Sequence, residues 1–157
     1  MPPFILAFLL GVIAGLRALV ALAAVSWAAY FGHLPVGGTH FAFMGSIATP
    51  IVLTLLAALE LVYEKAPRSA GNAMFVPKLV FRIALGGLAG AVIGSSNQTN
   101  ALFVCAAFGV FGALAGTFGS TVLFELLRSR MKRERGASMA EDAIAVLACL
   151  LVLIRIH

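Results

Sequence analysis

The chain has 157 residues, of which 62% are hydrophobic and only 11% charged, and its mean hydropathy is +1.06. An ordinary soluble domain is about 45–50% apolar and about 25% charged, so a water-soluble fold of this length would leave far too much apolar surface exposed. Lipid is the solvent that suits this composition. The net charge of +5 raises nucleic acid as a partner, but the basic residues fall between apolar runs and no aromatic-basic stacking platform accompanies them. They read as topology determinants and as contacts to anionic headgroups.

Five apolar runs predict an all-α integral membrane bundle in one domain over 1–157, with helices at about 4–31, 41–62, 79–94, 101–127 and 143–154. The first run is interrupted only by Arg17 and is long enough to tilt. The stretch after Met1 has no basic leader and Arg17 breaks the apolar region, so a retained first helix is expected, not a cleaved signal. His33 to His40 contains Pro35, Gly37 and Gly38 and reads as a turn. The second run carries Pro50, which predicts a kink or a discontinuous helix there. Residues 63–78 form the first long polar segment, and Ser95 to Asn100 is an uncharged polar turn. The fifth run is barely long enough to span, and a re-entrant or interfacial helix is its alternative.

Five spans would put the N-terminus, residues 63–78 and residues 128–137 on one side. That side holds Lys65, Arg68, Lys78, Arg128, Arg130, Lys132, Arg133 and Arg135, and the loops at 32–40 and 95–100 hold no Lys or Arg. Positive charge stays cytoplasmic. The expectation is a multi-pass membrane protein with a cytoplasmic N-terminus and its C-terminus on the opposite side.

Small residues recur four apart at Gly11 and Gly15, at Gly86, Gly90 and Gly94, and at Gly112 and Gly116 followed by Ser120, with Gly109 and Gly119 nearby. Residues four apart share a helix face, and bare backbone there lets two helices approach closely. The pattern predicts helix packing, within the chain or along a homo-oligomeric seam.

Arg17 is the most informative residue, because an arginine inside a spanning helix is costly and marks a functional site by default. Its guanidinium suits phosphate or carboxylate, and it equally suits an ion pair between helices. Glu60 and Arg82 complete a candidate substrate- or anion-binding set with Arg17, and Glu64 and Glu125 are candidates for an ion pair or proton relay. No Glu-x-x-His motif accompanies these acids, so no metal site is expected; His33 and His40 read as solvated loop residues. Cys105 and Cys149 lie singly in apolar runs and read as buried thiols. No nucleophile elbow or phosphate loop occurs, so neither an enzyme nor a cofactor is expected.

Gly11-Val-Ile-Ala-Gly-Leu-Arg-Ala18, with the Ala-rich sequence that follows to Trp27, resembles a family of short bacterial inner-membrane proteins known mainly as a domain of unknown function. Leu59-Glu-Leu-Val-Tyr-Glu-Lys-Ala-Pro67 and Arg82-Ile-Ala-Leu-Gly-Gly87 resemble its second and third blocks, with Glu64 in the place of an acidic residue before Lys-x-Pro. The resemblance implies a small multi-helix protein of the bacterial inner membrane, whose C-terminal side would then be periplasmic, and it supplies no activity. Two functions are therefore expected in competition. One is a transporter- or channel-like protein with an anionic or small polar substrate, working as a homo-oligomer. The other is a non-catalytic membrane subunit or lipid-binding scaffold of a larger complex.

Overall fold

The computed structural model describes residues 2–64, 75–96 and 101–130, together with 143–144, 146–149 and 151. The described elements are all helical: α1 (Pro3–Leu16), α2 (Ala18–Tyr30), a 3-10 turn (Ala42–Gly45), α3 (Ala48–Glu64), α4 (Phe75–Ser96) and α5 (Leu102–Arg130). Residues 143–144, 146–149 and 151 are helical as well, inside the expected fifth run.

The first apolar run is two helices, not one. Arg17 adopts an extended conformation (φ −142°, ψ 103°) that ends α1 and starts α2. Residues 41–47, expected to open the second helix, hold the 3-10 turn instead, and α3 begins at Ala48. Pro50 therefore stands in the first turn of α3, where its missing N–H has no partner to lose, and it does not interrupt a helix interior. The discontinuity expected at Pro50 lies at Arg17. α4 and α5 extend beyond the expected 79–94 and 101–127 at their charged ends.

Local chemistry explains the boundaries. Pro3 opens α1 at a position whose fixed φ suits a first helical residue. α2 closes with paired bonds: the amide of His33 donates to the carbonyl of Ala28 (3.0 Å) and that of Gly32 to Ala29 (3.2 Å). This closure needs a left-handed residue after the cap, and Gly32, with φ of +80°, supplies it without a Cβ penalty.

Packing fixes the directions. Gly11 lies on Gly109, Gly15 lies on Ala113, Gly116 and Thr117, and Phe4 packs on Phe108, so α1 and α5 run parallel. Gly86 meets Ala113 and Gly109, Gly90 meets Cys105, and Gly94 meets Leu102, so α4 runs antiparallel to α5. α4 is also antiparallel to α1, with Arg82 at Gly15 and Gly86 against Ala14. α3 is antiparallel to α2, with Glu60 at Leu19 and Thr54 at Trp27.

One face of α4 then places α2. Phe81 is 49% exposed, while Leu85, Leu88 and Val92, successive turns along that face, pack in the core, and Val92 is fully buried. α2 packs on α4, and its Leu22, Val25 and Ala28 share one core with Val92 and Ile93 of the C-terminal half of α4 and with Leu6 and Leu10 of α1, so it lies back along α1. α1 and α2 therefore form a tight hairpin with Arg17 at its tip. The Arg17 tip, the end of α3, the start of α4 and the second half of α5 share one end of the bundle. Pro3, the turn at 31–47 and the start of α5 share the other.

The core runs from Leu6, Leu10 and Ile13 through Leu22, Val25 and Ala28 to Val92 and Ile93, and Leu34, Val36 and Met44 fold onto it from the turn. Ser26 holds that turn by donating from Oγ to the carbonyl of Met44 (3.0 Å). Two helical stretches, Pro77–Ser96 and Leu102–Val122, are long and apolar enough to cross a bilayer; Pro3–Leu16, Ala18–Tyr30 and Ala48–Glu60 are shorter apolar helices.

Candidate functional site at the Arg17 helix break

A break inside an apolar run exposes two sets of backbone groups: the last carbonyls of α1 and the first amides of α2. Buried and unpaired, each would cost about 1–3 kcal/mol. Polar side chains from three other helices are built around them. The Gly15 carbonyl accepts from Nη1 of Arg82 (2.7 Å) and from Oγ1 of Thr117 (3.3 Å). The Thr117 hydroxyl has one proton, which it shares with the nearer carbonyl of Ala113 in its own helix (2.8 Å), so its contact to Gly15 is the weaker branch. The Leu19 amide, in the first turn of α2, donates to a carboxylate oxygen of Glu60 (3.3 Å). A carboxylate there also suits the positive end of the α2 dipole.

Close approach makes this possible. Gly15 has no side chain, and a Cβ there would strike Ala113 and Gly116 of α5. The glycine stripe of α1 thus brings the Gly15 carbonyl within reach of both Arg82 and Thr117. Arg17 and Arg82 are 3% and 7% exposed, so both guanidiniums are withdrawn into the bundle.

The structure brings Arg17, Glu60 and Arg82 to one level, at the tip of the hairpin. It does not place Arg17 midway along a continuous helix, as the apolar run suggested. Arg82 donates to a backbone carbonyl, a class of partner that matching charge against charge does not consider. The Glu64 and Glu125 side chains lie outside the described residues, as do Glu141 and Asp142.

The glycine sets at 11/15 and 112/116 line the α1–α5 contact and the set at 86/90/94 lines the α4–α5 contact, all within the chain, and Gly109 sits between Gly86 and Gly11. Gly119 faces open space. Thr117 is the site residue that sequence reasoning missed. Its signal is a hydroxyl directly after Gly116 in the stripe of α5.

An open, apolar groove of about 470 Å³ runs beside the site, lined by Leu19, Leu56, Leu59, Glu60 and Val62. Glu60 is its polar residue, standing between the groove and the start of α2. His33 and His40 are exposed in the opposite turn, and among the described residues no cluster of His, Cys, Asp or Glu could hold a metal ion. Cys149 is buried, its thiol against the Val20 carbonyl (3.7 Å), and Cys105 is buried under Gly90 and Gly94. No protein-family model, no curated protein and no solved structure matches the chain.

Proposed function

We propose that this chain is a multi-pass membrane protein of transporter-like kind, in which a small anionic or polar substrate is recognised around the Arg17 break by Arg17, Glu60 and Arg82. The carrying observation is the helix interruption itself. An apolar run gives up its hydrogen-bond ladder at a buried arginine, and three further helices contribute side chains that hold the ends in place. Inside a bilayer, irregular backbone is tolerated only where protein buries it or where it lines a cavity. Discontinuous helices whose ends meet polar groups are how many transporters build binding sites.

The membrane setting is supported by the outward faces. α3 exposes Val52, Leu55 and Leu59, and α5 exposes Phe103, Phe111 and Phe118. These are faces that water would penalise and acyl chains would not. The Gly-Leu-Arg block that resembles the family of short bacterial inner-membrane proteins is the segment that forms the break, and membership of that family is part of the proposal.

A second reading has its own support. The Gly15 carbonyl and the Leu19 amide already have protein partners, as expected if the break is a structural corner in an accessory subunit.

Flux measurements on purified protein in sealed liposomes separate the two. Transport predicts uptake of a small oxyanion such as phosphate that falls at least about tenfold in Arg17→Gln and is partly kept in Arg17→Lys, since lysine keeps the charge and loses the two-pronged geometry. Wild-type protein that catalyses no flux of anions or small polar solutes, and leaves mild detergent bound to another protein, favours the subunit reading.

A further inference from the structure

We infer that the Arg17 site is approached from the side of the membrane that carries Lys78 and the end of α5 at Arg128 and Arg130, and that the N-terminal end of α1 lies on the opposite side. This rests on the membrane reading above and fixes the face from which a substrate reaches the site. It reverses the sidedness that five spans with an unbroken first helix would give.

The depth follows from helix lengths. α1 has 14 residues and α2 has 13, so at ~1.5 Å per residue each covers about 20 Å, against a hydrocarbon core of about 30 Å. The hairpin enters from one face and ends before the other. The entry face is marked by aromatic rings at the end of α2. Trp27 stacks on Phe31 with ring centroids 5.5 Å apart, Tyr30 packs edge-on to both, and Phe31 and Tyr30 are exposed. Amphipathic rings of this kind settle at the headgroup level.

Beyond the Arg17 level the other helices continue. α4 begins at Phe75, about 10 Å beyond Arg82 at ~1.5 Å per residue. α5 continues to Arg130, about 20 Å beyond Thr117 on the same scale. Val80, Phe81, Phe118, Val122 and Leu126 keep the outer surface apolar over this stretch. Arg17 thus lies roughly 20 Å from the aromatic face and roughly 10 Å from the other, within one long side chain of the headgroup zone there.

Charge agrees with depth. Lys78 lies one turn from Arg82 toward the near face, and Arg128 and Arg130 stand at the end of α5. The end of α3 and the start of α4 are at this face too. The turn at 31–47 on the aromatic face holds no Lys or Arg. The near face is therefore cytoplasmic and the start of α1 is not.

The test uses single cysteines in a Cys105→Ala, Cys149→Ser background, probed with a membrane-impermeant maleimide on intact cells and on inside-out vesicles. Pro2→Cys and Gly37→Cys report the aromatic face, where both residues are exposed and Gly37 has no atom near it. Lys78→Cys reports the near face, and Leu19→Cys, beside Glu60, reports the site. The expected result is labelling of Pro2→Cys and Gly37→Cys in intact cells, and of Lys78→Cys and Leu19→Cys at least about tenfold faster in inside-out vesicles. Labelling of Pro2→Cys and Lys78→Cys from one common face overturns the inference and leaves the membrane reading standing. A protein released by alkaline wash, with every cysteine labelled equally in both preparations, removes the membrane reading and the inference with it.

Discussion

Nη1 of Arg82 donates to the carbonyl oxygen of Gly15 across 2.7 Å, joining the start of α4 to the last turn of α1. The bond is charge-assisted and buried, and it serves a carbonyl that the helix break has left without an intrahelical partner. Removing it by Arg82→Met should cost about 1.5–3 kcal/mol, the range for a hydrogen bond to a charged group. Thr117→Val removes the second donor to the same oxygen, at a longer 3.3 Å, and should cost about 0.5–1.5 kcal/mol. Thermal unfolding in a fixed mild detergent measures both. A larger loss from Thr117→Val than from Arg82→Met would mean that the hydroxyl, not the guanidinium, holds the break.

The glycines separate into tolerant and intolerant positions. A Cβ on Gly11 would strike the Gly109 backbone, and one on Gly112 or Gly116 would strike Phe8 or Val12 of α1. These are backbone collisions that no side-chain rotation relieves, so each alanine variant should lose stability by about 1–3 kcal/mol or more. Gly119, in the turn of α5 that follows Gly116, would point a Cβ into open space. Gly119→Ala should be neutral or slightly stabilising, because alanine is the better helix former by about 1 kcal/mol. Equal behaviour of Gly112→Ala and Gly119→Ala in unfolding would overturn the assignment of α1 against α5.

Glu60 offers a comparison between charge and hydrogen bonding. Its carboxylate accepts from the Leu19 amide in the first turn of α2. Glu60→Gln keeps an acceptor and loses the charge; Glu60→Ala loses both. Loss of a cap costs about 0.5–2 kcal/mol, so Glu60→Ala should fall by that amount in stability and Glu60→Gln by a fraction of it. If substrate recognition uses the charge, flux should instead drop similarly in both variants. A Glu60→Gln protein with full flux and full stability would remove the carboxylate charge from the site.

Much of this is legible in the sequence, for identifiable reasons. Glycine spacing is periodic, so Gly11, Gly15, Gly86, Gly90 and Gly112 can be read as packing faces before any partner is known. Arg17, Glu60 and Arg82 stand out because charge is rare in apolar runs. The break at Arg17 is not legible. Its neighbours Leu16 and Ala18 are good helix formers, and Gly15, two residues before the corner, reads as one of the packing glycines. The helix ends there because side chains distant in sequence, Glu60, Arg82 and Thr117, take over its backbone bonds. Counting the run as one helix then carries the N-terminal end of α1 to the wrong end of the bundle relative to Arg17.

Trp27 is the chain's one tryptophan, which makes it a depth gauge. Its indole donates to Oγ1 of Thr54 (3.0 Å), and Thr54 in turn donates to the Pro50 carbonyl (2.6 Å), so the ring is tied to the first turns of α3. In the proposed orientation this pair sits near the headgroups of the aromatic face, where an indole keeps an apolar body in the chains and a polar tip toward water. In vesicles of lipids brominated along their acyl chains, bromine near the headgroup should quench Trp27 more strongly than bromine near the chain ends. Thr54→Val should leave that order unchanged, since Phe31 still stacks on the ring. Quenching that peaks with bromine at the chain ends would put the aromatic cluster at the midplane. The hairpin tip, about 15 Å farther along α2 at ~1.5 Å per residue, would then reach the opposite headgroups, and Arg17 would lie in the interface and not below it.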